Sequence, residues 1–401
     1  MRDGRLAENK KLSNEGNFSC RSNTRRCEKS QFEDAGCDFE RETNAIFEWS
    51  AGQEGRALAL GAGAWRSRLS GFKETAAGQG SGSLGKRGNG ESGKKVASVG
   101  ECMVELRHRT ETELDLAFGG DTLNFAIYFA RLTREHRLRV DYVTALGDDA
   151  YSDAMLAMWR SEGIGTDLVF RIPGRLPGLY TIRVDARGER SFTYWRSAAA
   201  ARDMLKGGRA DEVARTLAGY DLLYLSGITL SILDQPQRLD LMTVADRIRE
   251  QGGRVAFDSN FRPAGWPDRD EARAVFDAML ERSDVALPTL DDEQKLYGVR
   301  DALECTERLH EMGVAEVALK LGSAGCYLSS AAFTGEVAAE PADGVVDSTA
   351  AGDSFNAGYL AVRLLGAEPQ AAARLGNAVA ARVIAHPGAI IPPEAMADLR
   401  A

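Results

Sequence analysis

The chain has 401 residues, 44% hydrophobic and 27% charged, with a formal net charge of -9: a globular composition, long enough for one large domain or two ordinary ones. No apolar run approaches the roughly 20 residues of a membrane helix, and the acidic balance argues against nucleic acid as main partner while leaving room for a local basic pocket that holds an anionic small molecule. Six cysteines without a CxxC pair, and four histidines with no zinc-ligand spacing and none beside a Ser or Cys elbow, weigh against a disulfide framework, a zinc site and a histidine-based hydrolase, and point to a reducing cytoplasm.

Residues 1 to 94 differ in texture from the rest of the chain. They hold three of the six cysteines and end in AAGQGSGSLGKRGNGESGKK (76 to 95), which has the Gly/Ser/Lys composition of a flexible linker. Charged residues pack the start with no apolar stretch after them, which excludes a secretory signal; frequent acidic residues weigh against a transit peptide. The expectation is a disordered extension, or translated sequence upstream of the true start, without a chemical role. From Lys95 the pattern changes. KVASVGECMVEL (95 to 106) is a β-branched run broken by Gly100, the form of a buried strand ending in a turn. Strand-like runs recur at RVDYVTALG, DLLYLSG, RVAFDSN, VALPTL and VALKLG, and QPQRLDLMTVADRIREQG, RDEARAVFDAMLERS and DALECTERLHEMG between the later ones are helical in pattern. That alternation predicts an α/β fold over 95 to 401, a mainly parallel sheet flanked by helices, with ligands at the carboxyl ends of its strands. Residues 171 to 196 interrupt it: two period-2 segments around Ala186-Arg187-Gly188-Glu189 predict a β-hairpin, a lid or oligomer contact, in which Tyr180, Tyr194, Trp195 and Arg196 gather.

The stretch DSTAAGDSFNAGYLA (347 to 361) carries the chemistry. Its spacing predicts a helix over 354 to 364, whose first amides lack intrahelical partners and point back toward Ala350, Ala351 and Gly352. Small residues let a phosphate approach that backbone, and the helix dipole favours negative charge there. A carboxylate at the same place would repel a phosphate unless it had a task, such as taking a proton from an attacking hydroxyl, and Asp353 fits that task. By position alone, helix capping is the commoner use of such an Asp.

The same stretch closely resembles the carboxyl-terminal signature of the ribokinase-like (PfkB) sugar kinases, commonly D-T-x-G-A-G-D-x-F-x-x-G. Ala350 stands where the family usually has its first glycine, a change that an ordinary backbone angle would accommodate. GGDTLNFA (119 to 126) resembles the family's amino-terminal Gly-Gly motif, which implies that Gly119, Gly120 and Asn124 lie against sugar hydroxyls; ALGDDAYSD (145 to 153) resembles the G-x-D segment that comes next. LPTLDDEQ (287 to 294) resembles N-x-x-E with Thr289 for Asn, which implies that Glu293 positions Mg2+ through water. VALKLGSAGCYL (317 to 328) resembles the strand and turn beside the nucleotide, implying Lys320, Gly322 and Gly325 near phosphates or ribose, with Asn260 also on the nucleotide side. GNAVAARVIAHPGAI (376 to 390) resembles the adenine-side helix and loop, implying that Asn377 and Gly388 shape the base pocket. The resemblance covers 95 to 401. It implies a ribokinase-like three-layer fold with a small β lid, ATP and Mg2+ as cofactors, and K+ beside the anion hole through Asp347.

YTIRVDARGERSFTYWRSAAAAR (180 to 202) resembles the lid of 2-keto-3-deoxygluconate kinases, in which Tyr180, Tyr194 and Arg196 would approach an acidic sugar, and FDSNFRP (257 to 263) adds Arg262. Two planar guanidiniums suit a carboxylate, and structural ion pairs are their competing use. Trp195 reads as lid core. The expected reaction is in-line transfer of the ATP γ-phosphoryl group to a primary hydroxyl, O6 of 2-keto-3-deoxygluconate, with Asp353 as base and the amides around Ala350 to Gly352 neutralising charge. A fructokinase or ribokinase of a neutral sugar is the alternative; a non-catalytic sugar-binding regulator would be expected to lack Asp353. A dinucleotide oxidoreductase is not supported, because VGECMVEL stands where GxGxxG would come after the first strand. The partners expected are the sugar acid and ATP, with neither membrane nor nucleic acid, and a second copy of the chain through the lid.

Overall fold

A computed structural model describes residues 93 to 401 except 185 to 189 and 343. The expected amino-terminal extension and the hairpin turn Ala186-Arg187-Gly188-Glu189 lie outside the described residues.

In chain order the strands are β1 (Lys94–Val99), β2 (Met103–His108), β3 (Leu114–Gly119), β4 (Leu138–Leu146), β5 (Val169–Arg171), β6 (Gly178–Val184), β7 (Arg190–Trp195), β8 (Leu222–Ser226), β9 (Arg254–Asp258), β10 (Val285–Ala286), β11 (Glu316–Lys320), β12 (Cys326–Ser330) and β13 (Thr334–Val337). The helices are α1 (Asp121–Leu132), α2 (Ala150–Ser161), α3 (Arg209–Leu217), α4 (Gly227–Ile232), α5 (Gln235–Glu250), α6 (Arg269–Leu280), α7 (Leu290–Tyr297), α8 (Ala302–Glu311), α9 (Ala351–Leu365) and α10 (Pro369–Ile384).

Among the described residues, nine strands form one sheet in the order β13-β12-β11-β10-β9-β8-β1-β4-β5. Pairing is parallel from β5 through β11; β12 pairs antiparallel with both β11 and β13, so among the described strands of this sheet β12 alone runs against the rest. Period-2 alternation divides each central strand between two cores. Leu223 and Leu225 of β8 face a cluster with Val213, Leu241, Phe276 and Leu309 of α3, α5, α6 and α8. Leu222 and Tyr224 face the opposite cluster, with Phe125, Trp159, Phe355 and Val379 of α1, α2, α9 and α10. The three layers expected from the alternating pattern are present. The strand order reverses on either side of β1, so the switch point lies between β1 and β8, where loops at carboxyl ends diverge and leave a crevice.

A second sheet, β3-β2-β6-β7, forms the lid. The expected hairpin is β6 paired antiparallel with β7, and β6 also pairs parallel with β2. The lid differs from the expected 171 to 196 in two respects: β5 belongs to the edge of the main sheet, and β2 and β3 supply half of the lid. The run 95 to 106 therefore divides around Gly100 into two strands in different sheets, where one buried strand ending in a turn was expected. Trp195, expected in the lid core, is 58% exposed, because it ends the edge strand β7 with no strand beyond it. Among the described residues no helix is long and apolar enough to cross a membrane.

Candidate active site

Helix α9 starts at Ala351, three residues before its expected start, with Ala350 as its N-cap. Ala350 has φ 62° and ψ 11°, so the ordinary backbone angle expected there is corrected to a left-handed one. A Cβ in that region costs roughly 1–2 kcal/mol, which a glycine would avoid. The left-handed residue turns the chain sharply into the helix. The Ala351 amide reaches Ser348 O at 3.3 Å, and Gly352 and Asp353 come next as first-turn residues whose amides have no intrahelical acceptor.

Asp353 thus sits in the first turn, and it does not cap the helix. Its Oδ2 accepts from Asn124 Nδ2 at 2.8 Å. Burial pushes its carboxyl up to about 7, with Asp121 and Asp258 adding to the effect and Asn124 and Lys320 opposing it. An acid held near neutrality against helix-terminal amides can exchange a proton with a hydroxyl at physiological pH. Asn124 is placed by the Gly119-Gly120 turn into α1, where its amide closes on Gly120 O at 2.8 Å. A Cβ at Gly120 would lie 2.1 Å from Glu101 O, so only glycine fits this approach.

Behind the amides lies a buried polar network. Lys320 Nζ donates to Asp258 Oδ2 at 2.7 Å and Asn356 Oδ1 at 3.1 Å, and Asn356 Nδ2 donates to Asp258 Oδ2 at 2.6 Å and Tyr224 Oη at 3.0 Å. A methyl at Gly352 would stand 3.5 Å from Lys320 Nζ, so this positive charge flanks the helix terminus. Asn260 donates to Asp121 Oδ2 at 2.8 Å and carries φ 32°, a strained turn fixed by its own amide on Asp258 Oδ1 at 3.1 Å.

These groups share a cleft of about 2320 Å³ between the main sheet and the lid. Of the residues expected at the site, Gly120, Asn124, Tyr180, Tyr194, Arg196, Asn260, Arg262, Lys320 and Ala350 through Asp353 line it. Gly119 lies against Tyr180, whose hydroxyl would be 2.6 Å from a methyl there. Gly322, Gly325, Asn377 and Gly388 do not line this cleft. Asn377 instead holds the carbonyls of Val337 and Ala338, and the amide of Gly388 donates to Asp347 Oδ2 at 2.9 Å.

On the lid side, Tyr180 donates to the buried Glu105 and its ring lies 5.8 Å from that of Tyr194. Arg196 pairs with Glu101, and Arg262 pairs with Asp292 at 3.1 Å while remaining 56% exposed. Glu101 Oε1 and Arg196 Nε have no hydrogen-bond partner among the described residues and are buried behind the cleft surface. Glu293, in the first turn of α7, is pushed up to about 7 by burial, and its Oε2 is likewise without a partner. Asp347 accepts from Thr349 N at 2.8 Å and from Arg190, and these bonds hold its carboxyl below the usual range against the opposing effect of burial.

Sequence reasoning did not assign Asp121, Asp258 or Asn356, although each lies inside a quoted motif. Glu101, Arg190 and Arg202 also line the cleft without having been singled out.

The pfkB family carbohydrate kinase model matches residues 93 to 396. A 2-dehydro-3-deoxygluconokinase of Dickeya dadantii is 48% identical over 309 residues, covering 76% of this chain and 98% of the relative. The 2-dehydro-3-deoxygluconokinase of Haemophilus influenzae is 40% identical, covering 77% and 98%. A ribokinase II candidate from Escherichia coli, solved with ATP and Mg2+, superposes with a TM-score of 0.66 at 23% identity, over 74% of this chain and 94% of that one, a likeness of fold. A three-layer fold with its switch-point cleft, a near-neutral acid in the first turn of a helix facing that cleft, and a family match across residues 93 to 396 agree: the chain belongs to the pfkB family of carbohydrate kinases.

Proposed function

We propose that this chain transfers the γ-phosphoryl group of ATP to O6 of 2-keto-3-deoxygluconate. The observation that carries the reading is Asp353, pushed up to about 7 and aimed by Asn124 beside the free amides of α9. The carboxylate takes the proton of the acceptor hydroxyl, and the amides of Gly352 and Asp353, backed by Lys320, stabilise charge that grows on the transferring group. Lid closure over the cleft excludes water from the transfer.

The sugar-acid specificity is supported by the relatives' names and by the cleft wall. Arg262, half exposed, has donors left for a carboxylate. One observation favours a neutral sugar: both arginines already have acidic partners. Measured phosphorylation of 2-keto-3-deoxygluconate, 2-keto-3-deoxygalactonate, fructose and ribose decides between them. A clear preference for fructose or ribose would overturn the sugar-acid reading.

Among the described residues no group of three His, Cys, Asp or Glu is set to ligate a metal. Mg2+ carried mainly by nucleotide phosphates and water needs no such cluster, and Glu293, 1% exposed and outside the cleft lining, would reach its hydration shell only through intervening water. When bound, the ion supplies charge neutralisation of the phosphates. The chain is expected to work in the cytoplasm, without nucleic acid or membrane, and to pair with a second copy through the lid. Leu114, Leu116 and Trp195, respectively 45%, 53% and 58% exposed, give that sheet an outward apolar side.

A further inference from the structure

The family resemblance assigns Asp347 to a potassium ion beside the anion hole, and the residues around Asp347 do not fit one. The guanidinium of Arg190 is already there. It donates to Asp347 Oδ1 and, through Nη1, to Thr349 Oγ1 at 3.0 Å, while Nη2 reaches Val346 O at 3.3 Å. A carboxylate, a hydroxyl and a carbonyl are the oxygen donors that a potassium ion would need. The other carboxylate oxygen is held by the Gly388 amide at 2.9 Å. Arg107, on lid strand β2, adds a second positive charge, its Nη2 lying 3.7 Å from where a methyl on Gly388 would be. A further cation would have to displace a guanidinium from its carboxylate against like-charge repulsion.

We propose that Arg190 is a built-in replacement for the dissociable monovalent cation, delivered by the lid, and that turnover is therefore independent of potassium. Arg190 opens β7, the strand that also carries Phe192 and Tyr194, and alternation puts the three side chains on one face. Residues 346 to 349 lead directly into Ala350 and the amides of α9, so the side chain that bonds Val346, Asp347 and Thr349 fixes the approach to the anion hole. A free ion occupies such a place by mass action, whereas a tethered guanidinium arrives whenever the lid closes. Arg190 is thus a positioning residue that couples lid closure to assembly of the amide cradle.

The inference rests on the phosphoryl-transfer reading of the Asp353 corner, and two measurements separate their failures. The first is turnover in tetramethylammonium chloride and in potassium chloride at about 0.1 M ionic strength. Wild type should differ by less than about twofold between the salts. Arg190→Ala should lose about tenfold or more in kcat in tetramethylammonium, with a smaller change in KM for ATP, and potassium should restore most of the loss. Arg190→Lys, which keeps a cation at the end of the chain, should retain more activity than Arg190→Ala and respond less to potassium. The second is calorimetric titration with potassium chloride: no saturable binding to wild type, a millimolar site in Arg190→Ala, and none in Arg190→Ala/Asp347→Ala. Potassium activation of wild type by several-fold, saturable potassium binding to wild type, or an Arg190→Ala enzyme indifferent to potassium would each overturn the inference. A wild type that phosphorylates no sugar would defeat the phosphoryl-transfer reading, and the titration would still decide whether Arg190 excludes the ion.

Discussion

Replacing Asp353 by Asn should abolish turnover and make the protein more stable, a pairing that a merely structural Asp would not give. Burial, with Asp121 and Asp258 nearby, raises the Asp353 carboxyl from 3.8 to about 7. The folded state therefore binds this proton more tightly than the unfolded chain does. The stability that the protonated group contributes is complete below about pH 4 and is lost as pH rises toward about 7. The full shift corresponds to a ceiling of about 4 kcal/mol at pH 7.5, at roughly 1.4 kcal/mol per pH unit. Water reaches the open cleft that Asp353 faces and screens part of it, so a gain of about 2 kcal/mol is expected for Asn. Asn can still accept from Asn124, and the shape is unchanged. For a domain of this size that gain is about 4 °C in Tm. Thermal melts of both proteins at pH 7.5 and pH 4.5 should show the difference at the higher pH and about a quarter of it at the lower. Loss of stability at pH 7.5, or an equal gain at both values, would refute the electrostatic argument. Near-wild-type turnover of Asp353→Asn would remove the residue from the chemistry.

The kcat of wild type should rise with pH through about 7 as Asp353 loses its proton, and a profile flat from pH 5 to 8 would contradict the assignment of the base. Arg262→Ala should raise KM for the sugar acid about tenfold or more, leaving KM for ATP within about twofold; equal effects on both would mark a structural arginine. Ala350→Gly should relieve the left-handed strain and stabilise the fold by about 1 kcal/mol in urea melts, net of the added freedom of the unfolded chain, with turnover maintained or raised. Lower stability would mean that the turn is not strained as its angles imply. Removing residues 1 to 90 should leave turnover and Tm unchanged, since the family match begins at 93; a lost activity would show that the extension has a task.

What could be read from the sequence was what is local. DSTAAGDSFNAGYLA places small residues, a helix start and an acid within a few positions of one another, so the candidate anion site is legible in backbone chemistry alone. The alternation of strands and helices likewise reports the two cores that each strand faces. Other features depend on distant pairs. Asn124 reaches Asp353 across 229 positions and Arg190 reaches Asp347 across 157, and no local pattern announces either contact. The ion pairs of Arg196 with Glu101 and Arg262 with Asp292 were open possibilities that only the fold settles. Strand β2 was missed because it continues the apolar run of β1, and β3 because all its residues but Gly119 stay partly or fully exposed, which leaves a weak apolar signal. The strain at Ala350 was invisible for another reason: residue identity suggests a backbone angle, but the turn that α9 needs overrides it.

If Asp353 and the first amides of α9 bracket the reacting atoms, a crystal structure with a non-hydrolysable ATP analogue, Mg2+ and 2-keto-3-deoxygluconate will show it directly. It should put the sugar's O6 within hydrogen-bonding distance of the Asp353 carboxylate, and the terminal phosphate at the amides of Gly352 and Asp353. A terminal phosphate bound elsewhere in the cleft, or an O6 facing away from Asp353, would contradict that central claim.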